Sequence, residues 1–352
     1  MSKAKIGITI GDINGVGPQV IIRALSNEML LNECTPVIYG SSKVLGYHKN
    51  IVGEQGFHFV TSDGERITSN KINVVNCWNE SVNIDLGKAT VDGGKCAYIA
   101  LDRAVSDLKA GHIDALVTAP INKHAMKLAD FPFLGHTEYI ADRCEASGDE
   151  LMLMVSKEMR VAVVSTHIPV SEVASHVTKE RIKKCILSLE DSLKKDFGIE
   201  RPTIAVLGLN PHAGDTGEIG HEDEEIIKPV IVELKQEGKI VSGPYPADGF
   251  FGGTRFKKFD AILAMYHDQG LIPFKAFSFG NGVNFTAGLN VVRTSPDHGT
   301  GYDIVDQNMA DPSSMRQAIF NALDIFRSRN EYDLINQDRI KKNEIRSEGA
   351  IA

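Results

Sequence analysis

Three histidines occupy the same place relative to an apolar run. His167 lies in VAVVSTHIPV, His212 in VLGLNPHAGD and His267 in AILAMYHDQG, each just past the apolar run. Each run reads as a buried strand, and in open α/β sheets the strand carboxyl ends converge on the ligand crevice. Three neutral imidazoles at such an edge suit a zinc-like divalent ion and leave a coordination position open for substrate. Any one of them alone reads as well as a hydrogen-bonded surface residue, so the repetition carries the metal reading. No His-Glu-x-x-His pattern is present, which leaves a zinc-protease reading without support.

A second group is basic and amide: Lys275 in PFKAF, Asn284 in GVNFTAG and Arg293 in NVVRTS. An anionic substrate needs cationic donors, and arginine offers a planar fork to carboxylate or phosphate. Both cations have apolar sequence neighbours, which argues against plain solvated charges. GHT, Gly135 to Thr137, adds His136 and a hydroxyl; Thr137 is also a candidate N-cap for a helix over Glu138 to Arg143. TSPDHGTGYDIV, Thr294 to Val305, suits a loop that wraps a ligand, or equally a glycine-rich surface turn. GDINGVGPQV, Gly11 to Val20, follows the first apolar strand. It lacks the Gly-Lys-Ser/Thr of a P-loop, and Val20 stands where a dinucleotide fingerprint needs its third glycine. A tight strand-to-helix turn is the alternative there.

Short apolar strands alternate with amphipathic stretches, the α/β pattern. Strands are expected over Ile6 to Ile10, Val37 to Tyr39, Asp114 to Val117, Leu151 to Val155, Arg160 to Ser165, Pro202 to Leu209 and Ala261 to Tyr266. Helices are expected over Gln19 to Leu25, Ala97 to Leu108, Asn122 to Leu128, Lys179 to Lys195, Asp223 to Glu237 and Ser314 to Arg327. Gly243 to Asp303, dense in Gly, Pro, Phe and Asn, reads as a loop-rich functional region. Ser41 to Glu80 offers no recognisable motif, and the charged stretch from about Arg339 reads as frayed.

At 352 residues the chain exceeds one small core and suggests two domains. A net charge of −8 with no dense Lys/Arg stripe argues against a nucleic-acid partner. No apolar run approaches the ~18 residues of a membrane span. The N-terminal apolar stretch runs into Gly11 and Asp12 as a strand would, not into the cleavage site of a signal peptide. Five scattered cysteines, with no Cys-x-x-Cys, fit free thiols in a reducing cytoplasm.

Taken together, GITIGDINGVGP, VTAPINKHA, GHTEYIA, VSTHIPV, LNPHAGDTGEIGHED, GPYPAD, YHDQGLIPFK, GVNFTAGL and RTSPDHGTGYDI resemble the 4-hydroxythreonine-4-phosphate dehydrogenase family of vitamin B6 biosynthesis. They run from Gly7 to Ile304. The resemblance implies an isopropylmalate-dehydrogenase-like fold of two α/β domains around a cleft, divided here as 1–130 with 296–352 and as 131–295. It implies NAD or NADP bound without the usual glycine fingerprint, on a loop matching Asp297, His298, Gly299, Thr300, Gly301 and Asp303. It implies one divalent ion (zinc, magnesium or cobalt) on His167, His212 and His267, the last serving the partner subunit's site in a homodimer. Substrate contacts carry over to His136, Thr137, Lys275, Asn284 and Arg293. Where the family reads GDPAGIGPE this chain has GDINGVGPQ, and Gln19 replaces an acid, which sets aside a charge-dependent role there.

The implied reaction oxidises the secondary alcohol of 4-phosphooxy-L-threonine to a β-keto acid that loses carbon dioxide. A divalent ion would stabilise charge developing on the alcohol oxygen. The base is to be sought among Asp248, Asp268 and a metal-bound water, and either carboxylate serves alternatively to orient a histidine. Oxidation of 4-phospho-threonate or 4-phospho-erythronate on the same scaffold, a metal-dependent hydrolase without a redox step, and a non-catalytic binding protein are the alternatives.

Overall fold

The computed structural model describes residues 3–26, 28–145 and 150–337. The terminal stretch expected to fray lies outside them. In chain order the strands are β1 (Ala4–Thr9), β2 (Cys34–Gly40), β3 (Phe59–Ser62), β4 (Ile72–Asn76), β5 (Ala115–Thr118), β6 (Leu151–Val155), β7 (Arg160–Ser165), β8 (Ile204–Leu207), β9 (Val241–Tyr245), β10 (Ala261–Tyr266), β11 (Val283–Ala287) and β12 (Arg293–Pro296). They form one 12-stranded sheet in the order β3-β4-β2-β1-β5-β12-β11-β6-β7-β10-β8-β9. This is the α/β class expected from the sequence.

Both flanks are parallel, but β12–β11, β11–β6 and β6–β7 pair antiparallel. Three reversals leave β7, β10 and β8 running opposite to β1 and β5. Loops that follow strands in one flank therefore emerge at the other edge of the sheet from loops that follow strands in the second. Strands such as β2 and β5 are buried at every residue, as parallel strands covered on both faces must be. The helix Val91–Lys109 covers β1, β2 and β5, and the C-terminal helix Ser313–Gln337 packs on β12, β5, β11 and β1. A buried ion pair, Arg329 to Asp196 at 2.6 Å, ties that last helix to the helix Lys179–Lys195.

Several expectations need correction. Gly243 to Asp303 is largely regular: it holds β9 to β12 and the helices Ala247–Gly252 and His267–Ser278. Its Gly and Pro density misled the reading, since Pro273 sits inside the second of these helices. Ser41 to Glu80, where no motif was recognised, supplies a helix, Ser42–Val52, the edge strand β3 and its neighbour β4. The strand expected over Pro202 to Leu209 pairs only from Ile204 to Leu207. The last helix runs ten residues beyond Arg327, to Gln337. Thr137 caps nothing: the helix begins at His136, with Gly135 at the cap. No helix among the described residues is long and apolar enough to cross a membrane.

His48 secures the first glycine-rich loop from beneath. It is fully buried, its Nε2 donates to the Ile13 carbonyl at 2.8 Å, and burial lowers its pKa from 6.5 to about 4. On acidification the unfolded chain takes up a proton here that the folded protein refuses. Its contribution is thus complete above pH 6.5 and is lost as pH falls toward 4, by roughly 3 kcal/mol over that window. His48→Gln keeps a donor for Ile13 without the titration. Urea denaturation from pH 7 to 4.5 should show a shallower loss of stability in the variant; parallel curves would place the acid sensitivity elsewhere.

Candidate active site

Arg293 begins β12 and is 3% exposed. The register Phe285↔Thr294 sets Thr286 directly opposite it on β11, so both side chains share one face. On its other side Arg293 faces Leu116 of β5, and Thr118, two residues on, lies on that same face. Its Nε and Nη2 donate to Thr118 Oγ1 at 3.0 and 2.7 Å, and its Nη1 to Thr286 Oγ1 at 3.2 Å and Thr137 Oγ1 at 3.4 Å. Among the described residues it enters no salt bridge. One of its five N–H donors stays free, and the long bond to Thr137 is easily exchanged for a ligand oxygen. Burial lowers even this guanidinium's pKa to about 10, with Glu138 acting in the other direction.

His136 stands beside it. Its Nε2 is buried without a hydrogen-bond partner, and burial together with the Arg293 charge holds the ring well below its ordinary pKa, hence neutral. An unpaired cation and an unpaired imidazole nitrogen, both desolvated, form a corner that lacks an anion. Asn284, half-buried on β11, pairs in register with Ser295 of β12 and Met154 of β6. Sequence reasoning passed over Thr118 and Thr286; only the strand register brings them to Arg293.

His167 and His267 follow β7 and β10, adjacent parallel strands with Ser165 opposite Tyr266. Their ring centroids are 6.1 Å apart, and both line a cavity of about 270 Å³. His167 is pushed below its ordinary pKa by burial, then by Lys123 and His267, while Glu138 opposes them. Glu138 acts on Arg293 as well, so the helices that follow β5 join the two corners electrostatically. His267 Nδ1 donates to Asp268 Oδ1 at 2.7 Å, which fixes the tautomer and leaves the Nε2 lone pair outside that contact. Asp248 is exposed in the first turn of Ala247–Gly252.

His212 lies beyond β8, the other neighbour of β10. From His212 to Thr216 the backbone is left-handed at five consecutive residues, with φ between 42° and 79°. Each non-glycine residue there costs about 1–2 kcal/mol. The donor set suits a divalent ion in kind: imidazoles, one of them held neutral by its surroundings and one oriented by a carboxylate. Within the one chain, no group of three or more His, Cys, Asp or Glu among the described residues is arranged to hold a metal.

Lys275 departs from its expected surroundings. It lies on the helix His267–Ser278 rather than in a loop, its side chain is 56% exposed, and it pairs with Asp297 at 3.4 Å. The apolar neighbours in PFKAF occupy other faces of that helix. Lys275, Asp297, His298, Gly299 and Gly301 line a cavity of about 400 Å³ with Val16 and Ile304. The glycine-rich loops interlock there. Val16 N donates to the Thr300 carbonyl at 2.8 Å, and a Cβ on Gly15 would lie 2.7 Å from that oxygen. Tyr302 donates to buried Asp12 at 2.5 Å, and burial raises the Asp12 pKa. His298 Nδ1 meets the Gly299 carbonyl at 2.9 Å, and exposed Asp303 lends its carbonyl to Gln307. Gln19 is buried and donates to the Val305 carbonyl at 2.6 Å, an uncharged structural contact. At 1.5 Å rise per residue, about 12 Å of helix separates His267 from this cavity. A larger cavity of about 630 Å³, by Arg160 and Phe197, opens at the other end of β7 from His167 and takes no part in the site.

The family model described as pyridoxal phosphate biosynthetic protein PdxA matches residues 32–322. A 4-hydroxythreonine-4-phosphate dehydrogenase of Bacteroides thetaiotaomicron is 49% identical over 328 residues, 93% of this chain and 90% of the relative. One of the same name from Sulfurihydrogenibium sp. is 40% identical over 316 residues, 90% of this chain and 96% of the relative. The crystal structure of the Klebsiella pneumoniae 4-hydroxythreonine-4-phosphate dehydrogenase aligns with a TM-score of 0.80 at 33% identity, over 93% of this chain and 98% of that one.

Arg293→Met removes a buried charge that has no carboxylate partner. Without ligand the variant should be as stable as the wild type or more so, by up to about 4 kcal/mol. Added inorganic phosphate should raise the melting temperature of the wild type and leave the variant unmoved. A variant that melts lower in phosphate-free buffer and still responds to phosphate would contradict the anion corner.

Proposed function

This chain belongs to the family of pyridoxal phosphate biosynthetic protein PdxA. On that premise we propose that it is an NAD- or NADP-dependent dehydrogenase acting on 4-phosphooxy-L-threonine. The product is 2-amino-3-oxo-4-phosphooxybutanoate, which loses carbon dioxide to give 3-amino-2-oxopropyl phosphate on the route to pyridoxal 5'-phosphate. The observation that carries the reading is buried Arg293, which enters no salt bridge among the described residues, beside the unpartnered His136 nitrogen.

In this reading Arg293, His136 and Thr137 receive the substrate's phosphate, with Asn284 and Lys275 as further donors. Charge-assisted bonds of this kind contribute roughly 1.5–3 kcal/mol each. His167 and His212, with the partner's His267, would hold a divalent ion. When bound, the ion would supply positive charge against the negative charge that develops on the substrate oxygen, and a nicotinamide would supply the hydride acceptor. The alcohol proton would go to Asp248, Asp268 or a metal-bound water; of the two carboxylates Asp268 lies at the histidine cavity, where it orients His267. Asp12 and Tyr302 join the loops of residues 11–17 and 297–303 into one wall beside the cavity that Lys275 lines, and these residues would hold the cofactor. Five free thiols fit a cytoplasmic enzyme.

NADH formation tests this directly. The enzyme should reduce NAD or NADP with 4-phosphooxy-threonine, lose activity when stripped of metal and regain it with zinc, magnesium or cobalt. Faster turnover of 4-phospho-threonate or 4-phospho-erythronate would move the substrate to the hydroxyl analogues. Phosphate release without NADH would replace the redox reading by hydrolysis. Mixing inactive His212→Ala and His267→Ala proteins should restore part of the activity by completing one site per mixed dimer; proven heterodimers without activity would put each site within one chain.

A further inference from the structure

We propose that Asp223 is a positioning residue that holds the left-handed turn presenting His212. The inference rests on the reading of His212 as a metal ligand and adds a residue that the reading does not require.

A run of left-handed residues does not form unaided in an L-polypeptide, and here four of the five are not glycine: His212, Ala213, Asp215 and Thr216. Something must fix the chain just before it. Asp223 does so from a fully buried position. Its Oδ1 accepts from Leu209 N at 2.8 Å; its Oδ2 accepts from Asn210 N at 3.1 Å and from Asn210 Nδ2 at 3.0 Å. These donors belong to the two residues between Gly208 and the turn's leading Pro211. The Asp223 carboxylate lies so close that a Cβ on Gly208 would be 2.6 Å from Oδ1, so only glycine fits there.

Asp223 is itself held in an uncommon way. It opens a π-helical turn, Asp223–Ile227, that leads into the helix Lys228–Gln236. Pro229 lacks an N–H, so the Glu225 carbonyl has no α-helical donor, and the wider turn follows. The root of the His212 turn is fastened from a second side. Gln269 Nε2 donates to the Gly208 carbonyl at 2.6 Å, and its Oε1 accepts from Met265 N at 2.7 Å. Gln269 lies two residues beyond His267, so the turn takes its position from the segment that carries the other histidine. Strain concentrated at a side chain exposed to the site, with its restraints buried behind it, marks preorganisation rather than packing.

The test reads Co²⁺ binding and the visible absorption of the Co²⁺-loaded full-length protein, which reports ligand geometry apart from turnover. Asp223→Asn turns an amide donor toward backbone donors. It should weaken Co²⁺ affinity at least tenfold and alter the band. Asn210→Ala, at a half-buried position, removes one of the three donors and should give an intermediate loss even if Asp223→Asn folds poorly. Adding Ala213→Gly to either variant lowers the intrinsic cost of the left-handed backbone and should restore part of the affinity, which a general loss of packing would not allow. Wild-type affinity and spectrum in both Asp223→Asn and Asn210→Ala, with His212→Ala impaired, overturn this proposal alone. Wild-type Co²⁺ binding in His212→Ala removes the metal reading and this proposal with it.

Discussion

Arg293 carries a full charge into a position that is 3% exposed, where all four of its hydrogen bonds end on neutral hydroxyls. Hydroxyls orient a guanidinium but do not neutralise it, so the folded chain retains a demand for an anion. The rest of the site is arranged around that demand. Register between β5, β12 and β11 aims the threonines at the guanidinium, and the helix His136–Arg143 adds His136, whose ring is kept neutral by burial and then by the same charge. Glu138, on that helix, is felt by Arg293 and by His167 alike.

The sheet's reversals set the scale of the site. With the flanks antiparallel to each other, the histidines after β7, β8 and β10 emerge at one edge and the glycine-rich loops after β1 and β12 at the other. The helix His267–Ser278 spans that interval, with a proposed metal ligand at its first residue and Lys275 at the second cavity. A long cofactor suits such a span better than a compact one. The site tolerates local strain for this geometry: the left-handed turn at His212 is maintained by hydrogen bonds to Asp223 from behind it.

What the sequence revealed follows from how local each feature is. The place of the histidines beyond strand ends was legible because each lies within five residues of an apolar strand, and the burial of Arg293 because apolar residues flank it. Its threonine partners were not, since Thr118, Thr137 and Thr286 come from three separate elements and meet only through register. Lys275 was misjudged because neighbours in sequence occupy different faces of a helix. Gly243 to Asp303 was misread as loop because glycine and proline serve there inside helices and strands as well as between them. The left-handed turn had no signal: PHAGDTG contains two glycines, yet the strained residues include His212, Ala213, Asp215 and Thr216. Pattern reading sees one residue's preferences, whereas a buried carboxylate 11 positions after His212 overrides them here.

The central claim is that Arg293 serves the phosphate of a phosphorylated hydroxy-acid. The most direct measurement compares kcat/KM for 4-phosphooxy-threonine and for dephosphorylated 4-hydroxythreonine, in the wild type and in Arg293→Lys. The account expects the wild type to favour the phosphorylated substrate strongly. Arg293→Lys should erode that preference by about one to two orders of magnitude, because a point charge does not replace the fork and its three hydroxyl contacts. Equal losses on both substrates, leaving the preference intact, would contradict it.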